Sequence, residues 1–197
     1  SDITTQSYTT YFPWVSGNKG YNVTQFYTVS LKETANDTRI MGGTQDNGTP
    51  YFKAANSSFP SADLSSGDGS YCYFGSTYSY VSSQNGTIHR YSYSGENMSW
   101  DFEFTPDTAQ VKGQMFINPF TVDPSDENYM YYLAGNKLWR NNSLQNLNDG
   151  VVKAAWSSVS LGLASDDIIS CVSVSRSNPS SVVYMGVYNY WAQPRIF

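Results

Sequence analysis

FTVDPSDENYMYYLAGNKLWR, residues Phe120–Arg140, is the stretch whose reading decides the fold. It opens on Phe120-Thr121-Val122-Asp123, with apolar residues first and third and polar residues second and fourth. Such period-two alternation marks a half-buried strand. Asp123-Pro124-Ser125-Asp126-Glu127-Asn128 then reads as a turn, and Tyr129–Ala134 as a second strand. Gly135-Asn136 turns the chain again, and Lys137–Arg140 gives a third strand. Short turns between consecutive strands make them antiparallel neighbours.

The same pattern recurs along the chain. Openers are Tyr27-Thr28-Val29-Ser30, Cys72-Tyr73-Phe74-Gly75 and Val172-Ser173-Val174-Ser175, with starts 45, 48 and 52 residues apart once Phe120 is included. Second strands follow at Thr38–Gly43, Tyr78–Ser82 and Ser181–Val187. Asp46-Asn47-Gly48 and Gln84-Asn85-Gly86 supply Asn-Gly turns, the strongest short hairpin signal. Third strands are expected at Thr49–Lys53 and Thr87–Tyr93, and fourth strands at Ser99–Phe104 and Ala155–Val159. The stretches Ala54–Ser66 and Asn141–Val152 read as polar surface linkers, and only Ala164–Ile169 suggests a single helical turn.

Four antiparallel strands repeating every ~40–50 residues describe a propeller blade. The fold class is therefore all-β, a β-propeller of four-stranded antiparallel blades. About three and a half blades are expected, as a partial ring. Residues 1–19 read as a linker or the end of a preceding blade, with Phe12-Pro13-Trp14 its last strand. Blades follow at 20–66, 67–112 and 113–163, and an incomplete one at 164–197, where the final repeat stops as its third strand should begin. Such a chain calls for the remaining blades or a completing chain as partner, because an unclosed ring exposes strand edges and an apolar face.

Composition agrees. Ser, Thr and Asn make up 60 of 197 residues, aromatics 16% and charged residues 14%. Strong helix formers are few. The formal net charge of -5 lacks the cationic footprint of a nucleic-acid binder. No run approaches the ~20 apolar residues of a bilayer span. Cys72 and Cys171 fall on equivalent openers two repeats apart, too distant for the ~4.4–6.8 Å Cα separation of a disulfide, so two buried thiols are expected. With one histidine, His89, and no CxxC motif, no zinc site is expected.

Gly42-Gly43-Thr44-Gln45-Asp46-Asn47-Gly48-Thr49, Gly67-Asp68-Gly69, Asn118–Pro124 and Asn136–Arg140 resemble the BNR or sortilin-type propellers over most of residues 20–187. The nearest likeness is to the secreted, glycosyl-hydrolase-like propellers of Bacteroidetes, many of them type IX secretion cargo. The resemblance implies a secreted or cell-surface protein, with xyloglucan-active hydrolases and sialidases among its relatives. Thr44–Tyr51 also fits the Asp-box pattern Ser/Thr-x-Asp-x-Gly-x-x-aromatic, in which the Asp holds the turn. Here the aromatic is Tyr51, and the turn falls between second and third strands rather than third and fourth. Asp107-Thr108-Ala109 resembles the O-glycosylation site of such proteins.

In a four-stranded blade the turn after the second strand and the lead-in to the first lie at one end. Asp46, Asn47, Asp68, Asn85 and Asn136 should gather there, with Gln25, Gln114 and Asp166-Asp167 nearer the axis. Amides and carboxylates beside aromatics suit sugar hydroxyls and pyranose faces, and Tyr188, Tyr190 and Trp191 add aromatic surface. Gln25, Asp46, Asn47, Asp68, Asn85 and Asn136 are thus the ligand-binding candidates. The first reading is a non-catalytic module that binds carbohydrate or a protein partner. The alternatives are part of a glycoside hydrolase or a structural subunit of a surface complex. Asp46 and Asp68 are the catalytic candidates, since glycoside hydrolysis needs two carboxylates across one cleft, and Asp166-Asp167 is the other pair that could be catalytic or bind calcium. Asp46 is read first as a turn-stabilising carboxylate, Asp68 as part of a tight turn, and Asp166-Asp167 as a solvated loop. No cofactor is expected; calcium is the one ion Asp68 or Asp166-Asp167 could take. Seven Asn-x-Ser/Thr sequons occur, at Asn22, Asn36, Asn47, Asn56, Asn85, Asn97 and Asn141, as chance allows in a chain so rich in these residues.

Overall fold

Blade I pairs β1 (Ser30–Leu31), β2 (Ile40–Met41), β3 (Pro50–Phe52) and β4 (Ala62–Asp63) in that order in a computed structural model. The model describes residues 24–54, 56–107, 111–148, 156–179 and 181–197. Phe12-Pro13-Trp14, Asn22 and Thr108-Ala109 lie outside these residues. Blade II holds β5 (Gly69–Phe74), β6 (Tyr78–Ser83), β7 (Ile88–Ser94) and β8 (Asn97–Phe104). Blade III holds β9 (Phe120–Val122), β10 (Met130–Ala134), β11 (Lys137–Asn141) and β12 (Trp156–Val159). Blade IV holds β13 (Ile168–Val174), β14 (Val183–Asn189) and β15 (Ala192–Ile196). Every pairing is antiparallel between strands consecutive in sequence. The first strands β1, β5, β9 and β13 contact one another in that order. An Arg176–Glu33 ion pair links the β13–β14 turn to the β1–β2 turn. The four sheets form a ring, a four-bladed β-propeller arrangement.

Period-two patterning decides which faces meet. In blade I, Ser30, Met41, Tyr51 and Ala62 are register partners on one face. Met41 and Tyr51 are fully buried there, against Phe74, Val81 and Tyr91 of blade II. Blades II and III share the aromatic core, where Tyr80 and Phe104 meet edge to face at 6.1 Å and Trp156 stacks on Phe104 at 6.3 Å. Leu133 and Leu138 of blade III meet Ile169, Met185 and Val187 of blade IV. Each fully buried large apolar side chain contributes about 1.5–3 kcal/mol. A blade cannot bury both faces alone, so these joints make the fold. Arg90 is buried at the edge of the largest core. Its guanidinium lies between the Tyr78 and Phe102 rings, at 4.1 and 4.2 Å, and donates to Asp101 at 3.0 Å and to the Leu147 carbonyl at 3.1 Å.

The structure corrects the sequence reading of several elements. Ala54–Ser66 is not wholly linker, because Ala62 and Asp63 pair with Tyr51 and Pro50 as the fourth strand of blade I. The last repeat does not stop before its third strand, which is β15. Leu144 and Leu147, in the stretch expected to be a surface linker, are buried in the aromatic core. Both cysteines are free as expected, but neither residue is fully buried: Cys72 is half-buried, and desolvation pushes its thiol up to about 11. Cys171 is exposed, on a face of blade IV that no other sheet covers among the described residues.

That face carries Ile168 paired with Tyr188, Ser173 with Tyr184, and Gly186 with Ile196. The four apolar side chains are exposed. Met185 and Phe197 exchange both backbone hydrogen bonds at 3.0 Å. Pro194 of β15 has no N–H to offer a further strand. The edge is blunted against unregulated pairing.

Candidate functional site

The turns after each second strand do the same work in successive blades. The Gln45 N–H donates to the Gln25 carbonyl at 2.9 Å, the Gln84 N–H to Asp68 at 2.9 Å, and the Gly135 N–H to Gly113 at 2.8 Å. Each turn thereby holds the lead-in segment of its own blade. Each also holds the lead-in of the next. The Gly48 N–H donates to the Gly67 carbonyl at 2.7 Å and the Asn85 N–H to Phe116 at 2.8 Å. Asn136 Nδ2 donates to the Ala164 carbonyl at 2.9 Å. Asp46, Gly48, Asn85, Gly86 and Gly135 have positive φ, the conformation that Asn-Gly turns supply.

The joint between blades I and II explains the motif Gly42–Thr49 with Gly67–Gly69. Gly48 and Asp68 form a parallel bridge. A Cβ on Gly43 would overlap the Ser70 carbonyl, and one on Gly69 would overlap the Gly48 carbonyl. The glycines beside Asp68 therefore admit the chain's own backbone. Asp68 Oδ1 accepts the Asp46 N–H at 2.9 Å, and Oδ2 accepts the Tyr27 hydroxyl at 3.0 Å. Burial and that carboxylate hold the Tyr27 hydroxyl above its ordinary pKa. Asp68 is the turn-holding carboxylate here, and the role expected of Asp46 passes to it. The Asp46 side chain is exposed and makes no hydrogen bond among the described residues.

Asp166 and Asp167, in the turn that leads into β13, have different surroundings. Asp166 is exposed and accepts the Ser165 hydroxyl. Asp167 is not solvated as expected but buried, at 1% exposure. It accepts from Asn189 Nδ2 at 2.9 Å, from Arg195, and from the Ala164 N–H at 2.9 Å. The Asn189 bond first, then Arg195 and the Ala164 N–H, hold its carboxyl below the usual range. Among the described residues no three His, Cys, Asp or Glu side chains come together as a metal site, and no helix is long and apolar enough to cross a membrane.

The candidates do not converge on one cleft. Asp46 and Asn47 line a groove of about 710 Å³ on blade I. Asp68 is behind it. Gln25 contributes its carbonyl, while Asn85 and Asn136 hold the turns of blades II and III. The groove's apolar walls went unread in the sequence. They are Phe26 from the lead-in, Phe52 from β3 and Phe59 from the β3–β4 loop, with Asp63 of β4 facing the same space. Phe26 is 42% exposed and Phe59 72%. Gly42 makes room for Phe26, since a Cβ there would come within 2.7 Å of the ring. An aromatic isolated in the Ser-rich stretch 54–66 is the one signal that could have marked Phe59.

No family model matches the sequence, and no curated protein matches it.

Proposed function

We propose that this chain is a non-catalytic binding module of a secreted or cell-surface protein, and that it takes carbohydrate in the blade I groove. The observation that carries the reading is the groove itself. Exposed phenylalanine rings from separate segments offer flat faces for pyranose C–H groups, and Asp46, Asn47 and Asp63 offer hydrogen-bonding groups beside them. The repeat type we assign is the BNR or sortilin kind, nearest the secreted propellers of Bacteroidetes. The glycine joint built from Gly42–Thr49 and Gly67–Gly69 supports that assignment. The exposed face of blade IV, with Tyr184, Tyr188 and Ile196, suits a protein partner. The hydrolase reading loses its best residue, because both oxygens of Asp68 are engaged in the turn.

A glycan array probed with the whole chain and with Phe59→Ala tests the proposal. Binding to a defined set of oligosaccharides that is lost in F59A is expected. Binding to none, or binding that F59A leaves intact, overturns it.

A further inference from the structure

Blade I separates its charges by face. Its cations turn away from the groove toward blade II or the far turn. Lys32 donates to the Gly75 carbonyl and lies 4.6 Å from the centre of the Tyr93 ring. Arg39 is paired with Asp37. Lys53 donates to Asn97 Oδ1 at 2.5 Å. The groove is lined by Asp46 and Asp63 and, among the described residues, by no Lys, Arg or His. Neither carboxylate makes a hydrogen bond or ion pair among the described residues, and both are exposed. The fold does not use them, so they are available to a ligand.

We infer that the groove selects its sugar by charge, taking a glycan that carries free amino groups in preference to a neutral one and rejecting uronates and other acidic glycans. The inference rests on the carbohydrate reading above and goes further than it. A protonated hexosamine offers the two things the walls accept. Its C–H face stacks on phenylalanine, and its ammonium is drawn both to carboxylate oxygen and to the faces of Phe26, Phe52 and Phe59. An acidic sugar meets two carboxylates with no cation to offset them. Exposed charge pairs are individually weak, so the selectivity is modest, roughly three- to thirtyfold for two contacts at low salt. It is also screened, because the Debye length falls from ~10 Å at 0.1 M to ~3 Å at 1 M salt.

Titration calorimetry on the whole chain tests this with the β-1,4-linked glucosamine hexamer, its fully N-acetylated counterpart and an oligogalacturonate. A pH of about 5.5 keeps the amines charged and lies above the ordinary aspartate value of ~3.9. The expected order is amine first, by roughly tenfold, then N-acetyl, then uronate last. Raising salt to 1 M, or the double substitution D46N/D63N, should bring the amine down to the N-acetylated sugar. Phe59→Ala should weaken both. Equal binding of amine and N-acetyl forms leaves the carbohydrate reading standing and overturns the charge inference. So does a preference that survives D46N/D63N, or tight binding of the uronate. Failure of every oligosaccharide, with folding intact by circular dichroism, overturns both.

Discussion

Asp68→Ala separates a structural carboxylate from a binding or catalytic one. Asp68 is 9% exposed and holds the Asp46 N–H at 2.9 Å in a turn where Asp46 has φ 61°. A hydrogen bond to a charged acceptor contributes about 1.5–3 kcal/mol, and water reaches the Asp46 side of this one, so a loss of about 2 kcal/mol is expected. The Tyr27 hydroxyl loses its acceptor too, in the same direction. For a chain of this size each kcal/mol lowers Tm by about 2–4 °C, giving about 4–8 °C in all. Asp68→Asn keeps an oxygen for the Asp46 N–H and should cost about half as much or less. Urea titration followed by tryptophan fluorescence measures both. If D68A loses under about 0.5 kcal/mol, or D68N loses as much as D68A, the turn-holding role is wrong. A residue acting on bound sugar would show the reverse, with D68N silent in stability and damaging to function.

Gly86→Ala should be among the most damaging single methyl additions. Gly86 has φ 81°, and a Cβ there would fall on the Tyr132 hydroxyl oxygen, whose proton goes to the Gly86 carbonyl at 3.1 Å. A loss of about 2–4 kcal/mol, read as a lower urea midpoint at unchanged slope, is expected; a near-neutral result refutes the joint between blades II and III. Asp167 has a folded pKa held below its unfolded value, so it stabilises above the unfolded pKa and loses that contribution as pH falls through the folded one. Amides of β13–β15 should lose protection, measured against their intrinsic exchange rates, as the pH of the native chain is lowered. In Asp167→Asn that acid-dependent part should vanish. Cys171 should react with a maleimide in the folded protein while Cys72, its thiol pushed up to about 11, should not; mass spectrometry should show one label native and two unfolded.

The repeat was legible because its signals are local. Asn85-Gly86 and Gly135-Asn136 announce positive φ directly, and Phe120–Asp123 alternates strictly. The strand Ala62–Asp63 was not legible, since two residues cannot show a period and Tyr51 specifies their register from outside. The glycines flanking Asp68 gave a correct geometric signal, close backbone approach, without naming what approaches. That partner, Gly48, is some twenty residues upstream and is fixed only by blade packing. The groove was hidden for the same reason. Phe26, Phe52 and Phe59 belong to a lead-in, a strand and a loop, and no spacing rule joins them.

The repeating clamps also explain why the groove lies on blade I. Lead-in segments of blades II and III are held from two sides, by their own turn and by the preceding one, and that of blade IV is held by the preceding turn through Asn136. Among the described residues no turn of a preceding blade clamps the lead-in at Gln25–Tyr27, which is held by its own turn and by the Tyr27 hydroxyl on Asp68, and the corresponding turn of blade IV, Tyr190-Trp191, is exposed. A sugar in the groove would supply what a preceding blade supplies elsewhere, an apolar face and hydrogen-bonding groups. Binding should then stabilise the native chain by RT ln(1 + [L]/Kd), about 2.7 kcal/mol at a hundredfold excess over Kd. The gain should be local as well as global. Hydrogen exchange should slow at residues 24–28 and 44–49 and stay unchanged in β9–β12, and Phe59→Ala should abolish the effect. Uniform protection across all four blades would mean that the ligand binds elsewhere, and that the one-sided clamp has nothing to do with recognition.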